Sequence, residues 1–343
     1  MTNNKIFLPA EWHQQKAVQL TWPHVNSDWA YLIDEVEACF FEIAKAIAER
    51  EPLIIVCPNS KALQQKLPKD ILNNISFYEM DSNDTWARDH GGITVFDQGQ
   101  PVVYDFCFNG WGMKFAANHD NQITRKLIAE GAFPEHKYSN MNFFVLEGGS
   151  IESDGIGTIL TTEECLLSPN RNDSLSKSEI EGCLKQFFGA ERILWLTNGF
   201  LVGDDTDSHV DTLARFCSED TIAYVKCVDP NDEHFEALSK MEEELKTFTQ
   251  ANGESYRLIA LPMATTILDP EDDHRLPATY ANFLIINGAV LFPIYKCKTD
   301  EPALKAIKNA FPDREIVPID CSVLIRQHGS LHCVTMQYPS SAG

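Results

Sequence analysis

Positive charge is scarce in this sequence: 28 lysines and arginines stand against 50 aspartates and glutamates, a formal net charge of −22. So acidic a chain disfavours nucleic acid and anionic membrane surfaces, which need a basic face. It suits a cationic ligand, although solubility alone accounts for the charge as well. Long apolar runs are also missing, and no stretch approaches the roughly 20 residues a membrane span requires. The opening Met1-Thr2-Asn3-Asn4-Lys5-Ile6-Phe7-Leu8-Pro9 has neither the n-region nor the h-region of a signal peptide. Ten cysteines are scattered without a CxxC pair or a regular framework, which points to reduced thiols and a cytoplasmic location. A Walker A loop and a G-x-G-x-x-G loop are both absent, so no nucleotide cofactor is expected. There is no G-x-S-x-G elbow for a serine hydrolase and no HExxH for a zinc protease.

What remains is an ordinary globular composition, 44% hydrophobic and 23% charged over 343 residues. Ile33, Val36, Phe40, Ile43, Ala44 and Ile47 recur at helical spacing, and the apolar run Pro52–Cys57 behind them suits a buried strand. Short apolar runs recur near 75–80, 101–106, 143–146, 158–161, 221–225, 256–261, 283–286 and 289–293. Helical patterns lie between them near 60–74, 119–131, 176–188, 231–250 and 301–310. The alternation predicts an α/β fold. Strands outnumber helices too heavily for a plain doubly wound sheet, and pairs such as 92–97 with 101–106 arrive with no helix between them. A repeated ββαβ-type unit fits. With no linker or low-complexity tract, residues 1–343 read as a single domain.

Four polar islands interrupt the apolar pattern: Trp86-Ala87-Arg88-Asp89, Leu146-Glu147-Gly148-Gly149, Ser208-His209-Val210-Asp211 and His328-Gly329-Ser330-Leu331-His332-Cys333. Each alone is weak, since a lone cysteine is usually a small buried hydrophobe and an Arg-Asp pair usually a surface ion pair. On an extended chain His209 and Asp211 would face the same side. His209, Asp211, His328, His332 and Cys333 are also possible zinc ligands by type, but Gly329 and Ser330 argue against a helix that would align His328 with His332. Together, a thiol, a histidine and three carboxylates suit gripping a guanidinium by its nitrogens while sulfur attacks its carbon.

With their flanks, the islands resemble the agmatine deiminase family, which includes bacterial peptidyl-arginine-deiminase-like proteins. The matching segments are Asn83–Asp89, Phe108–Gly112, Leu146–Gly155, Thr161–Leu167, Asn170–Asn172, Asp205–Asp211, Asn282–Leu284 and His332–Thr335, in the family's order. The resemblance implies a pentein fold, a five-bladed α/β propeller of ββαβ-like units around a central active site. It implies Cys333 as nucleophile, His209 as acid and base, Glu147 hydrogen-bonded to His209, and Asp89 and Asp211 as the guanidinium grip. Asn83, Trp86 and Trp111 would shape the pocket and Asp205 would receive a distal ammonium. No metal or other cofactor is implied, and self-association is. The expected reaction is hydrolysis of the small cation agmatine to N-carbamoylputrescine and ammonia. Arginine or peptidyl-arginine deimination, amidino transfer, and non-catalytic binding of a guanidinium ligand stay open. Two segments depart from the family pattern: His90-Gly91-Gly92 stands where Thr-Gly-Pro is common, and Gln327-His328-Gly329 where a glycine triplet is common.

Overall fold

The computed structural model describes residues 6–341; residues 1–5, part of the segment read for a signal peptide, lie outside it. Strands β1 (Gln15–Thr21), β2 (Leu53–Cys57) and β3 (Ile75–Glu79) are mutually parallel, with the helix Ile33–Ala48 crossing between the first two. That helix buries Val36, Phe40, Ile43, Ala44 and Ile47, the face its spacing predicts. All five residues of β2 are buried, as expected of a parallel strand covered on both sides.

Three-stranded sheets follow, each built the same way. They are β4 (Ile93–Asp97), β5 (Gln100–Cys107) and β6 (Lys137–Val145); β7 (Ile151–Ser153), β8 (Thr158–Thr162) and β9 (Arg192–Leu196); β10 (Ala214–Ser218), β11 (Thr221–Lys226) and β12 (Arg257–Pro262); and β13 (Leu284–Ile286), β14 (Ala289–Ile294) and β15 (Glu315–Asp320). In each, an antiparallel hairpin is followed by a helix and a parallel third strand. The final strand, β16 (Thr335–Pro339), pairs antiparallel with β1, so the two ends of the chain together complete a fifth unit. The expected ββαβ repeat is therefore present in five separate sheets.

The expected strands are found, but β1, β7, β9, β10, β15 and β16 lie outside the apolar runs. β9 and β15 are edge strands with mostly half-exposed side chains, and their apolar stretches, Ile193–Leu196 and Ile316–Ile319, are only four residues long. Edge position also tolerates Pro318 in β15. Residues 331–334 form a turn ahead of β16. His209 and Asp211 are likewise not on an extended segment, because Val210–Thr212 winds into one 3-10 turn.

Each polar island lies on a linker that joins the last strand of one unit to the first of the next, the last being β3 in the four-stranded sheet β16-β1-β2-β3. The linkers are residues 80–92, 146–150, 197–213, 263–283 and 321–334. They touch in rotation. Gly149 N bonds Asp89 Oδ1, Arg171 ties Glu147 to Thr206 and Asp207, Asn282 Nδ2 reaches Asp211 O, His332 N donates to Asn282, and Arg88 N donates to Cys333 O.

Candidate active site

Asp89 sits in the one-turn helix Ala87–His90, and the 3.1 Å bond from Arg88 N to Cys333 O fastens this turn to the last linker. Its Oδ1 accepts from Gly149 N at 3.1 Å and its Oδ2 from Trp111 Nε1 at 2.9 Å. Trp111 is aimed there by left-handed backbone, φ 54°, between two glycines. Gly149 is the close-packed point of the site. A Cβ there would lie 2.6 Å from His209 Nδ1, 2.9 Å from Asp89 Oδ1 and 3.1 Å from Asp211 Oδ2, so three of the expected residues crowd one glycine.

Asp211 gives Oδ2 to His332 Nδ1 at 2.6 Å, while Oδ1 is buried without a protein partner. A buried, unsatisfied carboxylate oxygen is an acceptor reserved for a donor the protein does not supply. Behind it runs a row of alternating charge. His332 Nε2 lies 2.6 Å from Glu11 Oε2, which takes Arg215 Nη2 at 2.9 Å, and Arg215 Nε pairs with Glu152. Burial pushes the pKa of Asp211 up, but the bond and charge of His332 outweigh it and hold the carboxyl below its usual range.

His209 is fully buried, and neither ring nitrogen has a hydrogen-bond partner; Nδ1 lies 3.6 Å from Asp89 Oδ1. Burial disfavours its charge, yet Asp89, the Cys165 sulfur and Glu147 override burial and raise its pKa to about 10. The expected bond from Glu147 to His209 is not formed. Both Glu147 oxygens accept from Arg171 Nε at 3.0 Å, so Glu147 acts on His209 through charge at short range. Asp89 is raised by burial, and further by Asp211 and Glu147, to about 6; His209 and Trp111 oppose the rise.

Cys333 is 4% exposed, and its Sγ lies 3.3 Å from Asn282 Oδ1, which also accepts from the backbone N–H of His332 and Cys333. Burial, then Asp211 and Asp89, push the thiol well above its ordinary pKa. Cys333 is therefore held as a neutral thiol by burial and by the charges of two carboxylates.

Of these groups Asp89 and Cys333 line a pocket of about 110 Å³, together with Trp86, Trp111, Asp205 and His328 and with Asp28 and Asp84 also on its wall; Asp211, His209 and Glu147 are fully buried and are not among its lining residues. No lysine or arginine lines it among the described residues. Asn83 does not line it either. Its amide is used by the backbone of His119 and Asp120 and by Asn118, which makes it a loop staple; its neighbour Asp84 is on the wall instead. The nitrogens of His332 and Nδ1 of His328 are committed to Asp211, Glu11 and Gly203 O, so the zinc set weighed from sequence does not assemble.

Sequence reasoning missed Glu11, Arg171, Arg215 and Asn282 as parts of the site. Arg171 and Asn282 stand inside recognised motifs, but nothing local says that their partners are Glu147 and Cys333. Glu11 and Arg215 carry no motif, and only tertiary structure brings them to His332.

The fold and site define a pentein-type α/β protein: the chain superposes over its whole length on an amidinotransferase from Microseira wollei, with a TM-score of 0.56. At 11% identity, covering 100% of this chain and 98% of that one, the likeness is one of fold alone. A narrower match runs through residues 7–339, and the chain belongs to the Porphyromonas-type peptidyl-arginine deiminase family. Among solved structures it is similar to one from Porphyromonas gingivalis provisionally described as an arginine deiminase, with 54% identity, a TM-score of 0.94 and coverage of 98% and 99% of the two chains. It is also similar to an agmatine deiminase from C. jejuni with substrate bound, with 40% identity, a TM-score of 0.90 and coverage of 98% and 96%. Its class is that of hydrolases acting on guanidino groups.

Proposed function

We propose that the chain hydrolyses agmatine to N-carbamoylputrescine and ammonia through a covalent intermediate on Cys333. The observation that carries this reading is the pocket wall: the Cys333 thiol, Asp89 and Asp205 line it, with no lining arginine or lysine among the described residues, and the buried Asp211, with Oδ1 free, acts on the thiol through its charge. Such a wall suits a ligand cationic at both ends. Free arginine would need a cation for its carboxylate. Arg171 is spent on Glu147 and Asp207, and Arg326 on Asp269 and Glu271.

Asp89 and the free Oδ1 of Asp211 receive guanidinium N–H groups, charge-assisted bonds worth about 1.5–3 kcal/mol each. The same cation offsets the two carboxylates that hold Cys333 protonated, so the thiol proton leaves to solvent once substrate is seated. The thiolate forms a bond to the guanidinium carbon. His209, an imidazolium at neutral pH, protonates a terminal nitrogen; the C–N bond breaks and ammonia departs. An S-alkylthiouronium remains on Cys333. Neutral His209 then takes a proton from water, which attacks the same carbon, and breakage of the C–S bond releases the ureido product and the thiol.

The five units whose linkers meet at the site support a five-bladed propeller with the pocket on its axis, formed by one catalytic domain spanning residues 1–343. A reducing, cytoplasmic setting, with self-association, completes the reading; the ten unbridged cysteines support the former. Trapping is the test. Cys333→Ser should bind agmatine and release no ammonia, and the parent enzyme acid-quenched during turnover should carry a mass adduct on Cys333. Ammonia release by Cys333→Ser at the parent rate would refute the nucleophile.

A further inference from the structure

The loop that carries Asp205 is fixed by its other charges. Asp204 accepts from Thr206 and from Ser208 N, and Asp207 takes Lys114 and Arg171, while Lys114 also holds the carbonyl of Asp205. Of the acidic residues in this loop Asp205 alone lines the pocket, and its ion-pair partner among the described residues is His328 Nε2 at 3.8 Å, with Lys114, Asp204 and Asp207 acting on it through charge at longer range. His328 reaches it from the opposite linker.

Three features hold that imidazole. Its backbone is left-handed, φ 67° and ψ 0°, a conformation that glycine adopts freely and that a side chain keeps only where its surroundings require it. Its Nδ1 lies 2.7 Å from Gly203 O. A carbonyl only accepts, so Nδ1 carries the proton and the neutral ring presents Nε2 as a lone pair. The ring also stacks on His274 with centroids 5.5 Å apart. The preceding residue is pinned as well, since Gln327 Nε2 donates to Asp28 O.

We propose that His328 Nε2 and the Asp205 carboxylate form a two-acceptor clamp for the distal ammonium of the substrate, which makes His328 a specificity-determining residue. Acceptors 3.8 Å apart can each take one N–H of a single ammonium seated about 2.8–3.0 Å from both. This rests on the agmatine reading and extends it from the reacting end to the tail. Histidine stands here in place of a glycine that would satisfy the same backbone, so His328→Gly removes the ring without straining the chain.

The experiment compares kcat/KM for agmatine and for n-butylguanidine, which has the same reacting group and no ammonium, in the parent enzyme, His328→Gly and Asp205→Asn. The clamp predicts that the agmatine-to-butylguanidine ratio falls about tenfold or more in each variant, with the agmatine loss in KM and not in kcat. A ratio unchanged in His328→Gly, with agmatine still hydrolysed by the parent, would overturn the clamp alone. A parent enzyme that favours butylguanidine, or hydrolyses neither compound, would overturn the agmatine reading and the clamp with it.

Discussion

Gly149 is the residue on which the site geometry turns, because any side chain there meets His209, Asp89 and Asp211 at 3.1 Å or less. Gly149→Ala should lower kcat/KM by about a hundredfold or more, roughly 2.7 kcal/mol of transition-state stabilisation. A circular-dichroism spectrum like the parent's would confirm that the loss is local. Ionisation sets a second expectation. Asp89 must be charged to grip the guanidinium and His209 must be protonated to release ammonia. The pH profile of kcat/KM should therefore be bell-shaped, with an acid limb near pH 6 and an alkaline limb near pH 10. An acid limb near 4 would place Asp89 in a solvated setting and contradict its burial. At this scale the sequence was informative about chemistry and poor about contacts. Cys333, His209, Asp89, Asp211 and Glu147 converge as their types suggested, whereas Asn83 turned out to bond backbone and Glu147 to bond Arg171. Which partner a polar side chain chooses depends on neighbours distant in the chain.

Among the elements, the linkers carry the function and the strands hold them in place. The linker from β15 to β16 depends most on its neighbours, since His332 bridges Asp211 and Glu11 with both ring nitrogens. His332→Ala would leave two buried carboxylates without that partner. We expect it to destabilise the fold by about 3–5 kcal/mol in urea unfolding, and to lower activity further in the variant that still folds, because Asp211 loses the bond that orients it. A shift under 1 kcal/mol would show that water replaces the imidazole. The longer helices and two hairpins, β4–β5 and β13–β14, were legible, as in the helix Lys177–Phe188 with its Ser176–Glu179 capping box and Gly189 at φ 64°. The edge strands β9 and β15 were not, because four-residue stretches such as Ile193–Leu196 and Ile316–Ile319 are too short to show a period. The 3-10 turn at Val210–Thr212 also escaped notice: a three-residue element leaves no periodicity to read.

Across the whole molecule, the ends of the chain meet: β16 completes the sheet that β1 begins, and Cys333 lies two residues before β16. A chain truncated after Val334 should lose its cooperative thermal transition, monitored by calorimetry, because β1 would be left as an open edge and the Cys333 linker untethered. The ββαβ repeat was visible in the sequence only as an excess of strands over helices. Its completion by the two termini was not visible, since no local pattern says that the last strand pairs with the first. The acidic balance of the whole chain, −22, acquires a local meaning in a pocket walled by aspartates. The most direct test of the account is one side-by-side assay of agmatine and L-arginine, scored by ammonia and ureido product. The account predicts N-carbamoylputrescine and ammonia from agmatine, with kcat/KM at least about a hundredfold above that for arginine. Arginine hydrolysed as efficiently as agmatine, or amidino transfer without ammonia, would contradict it.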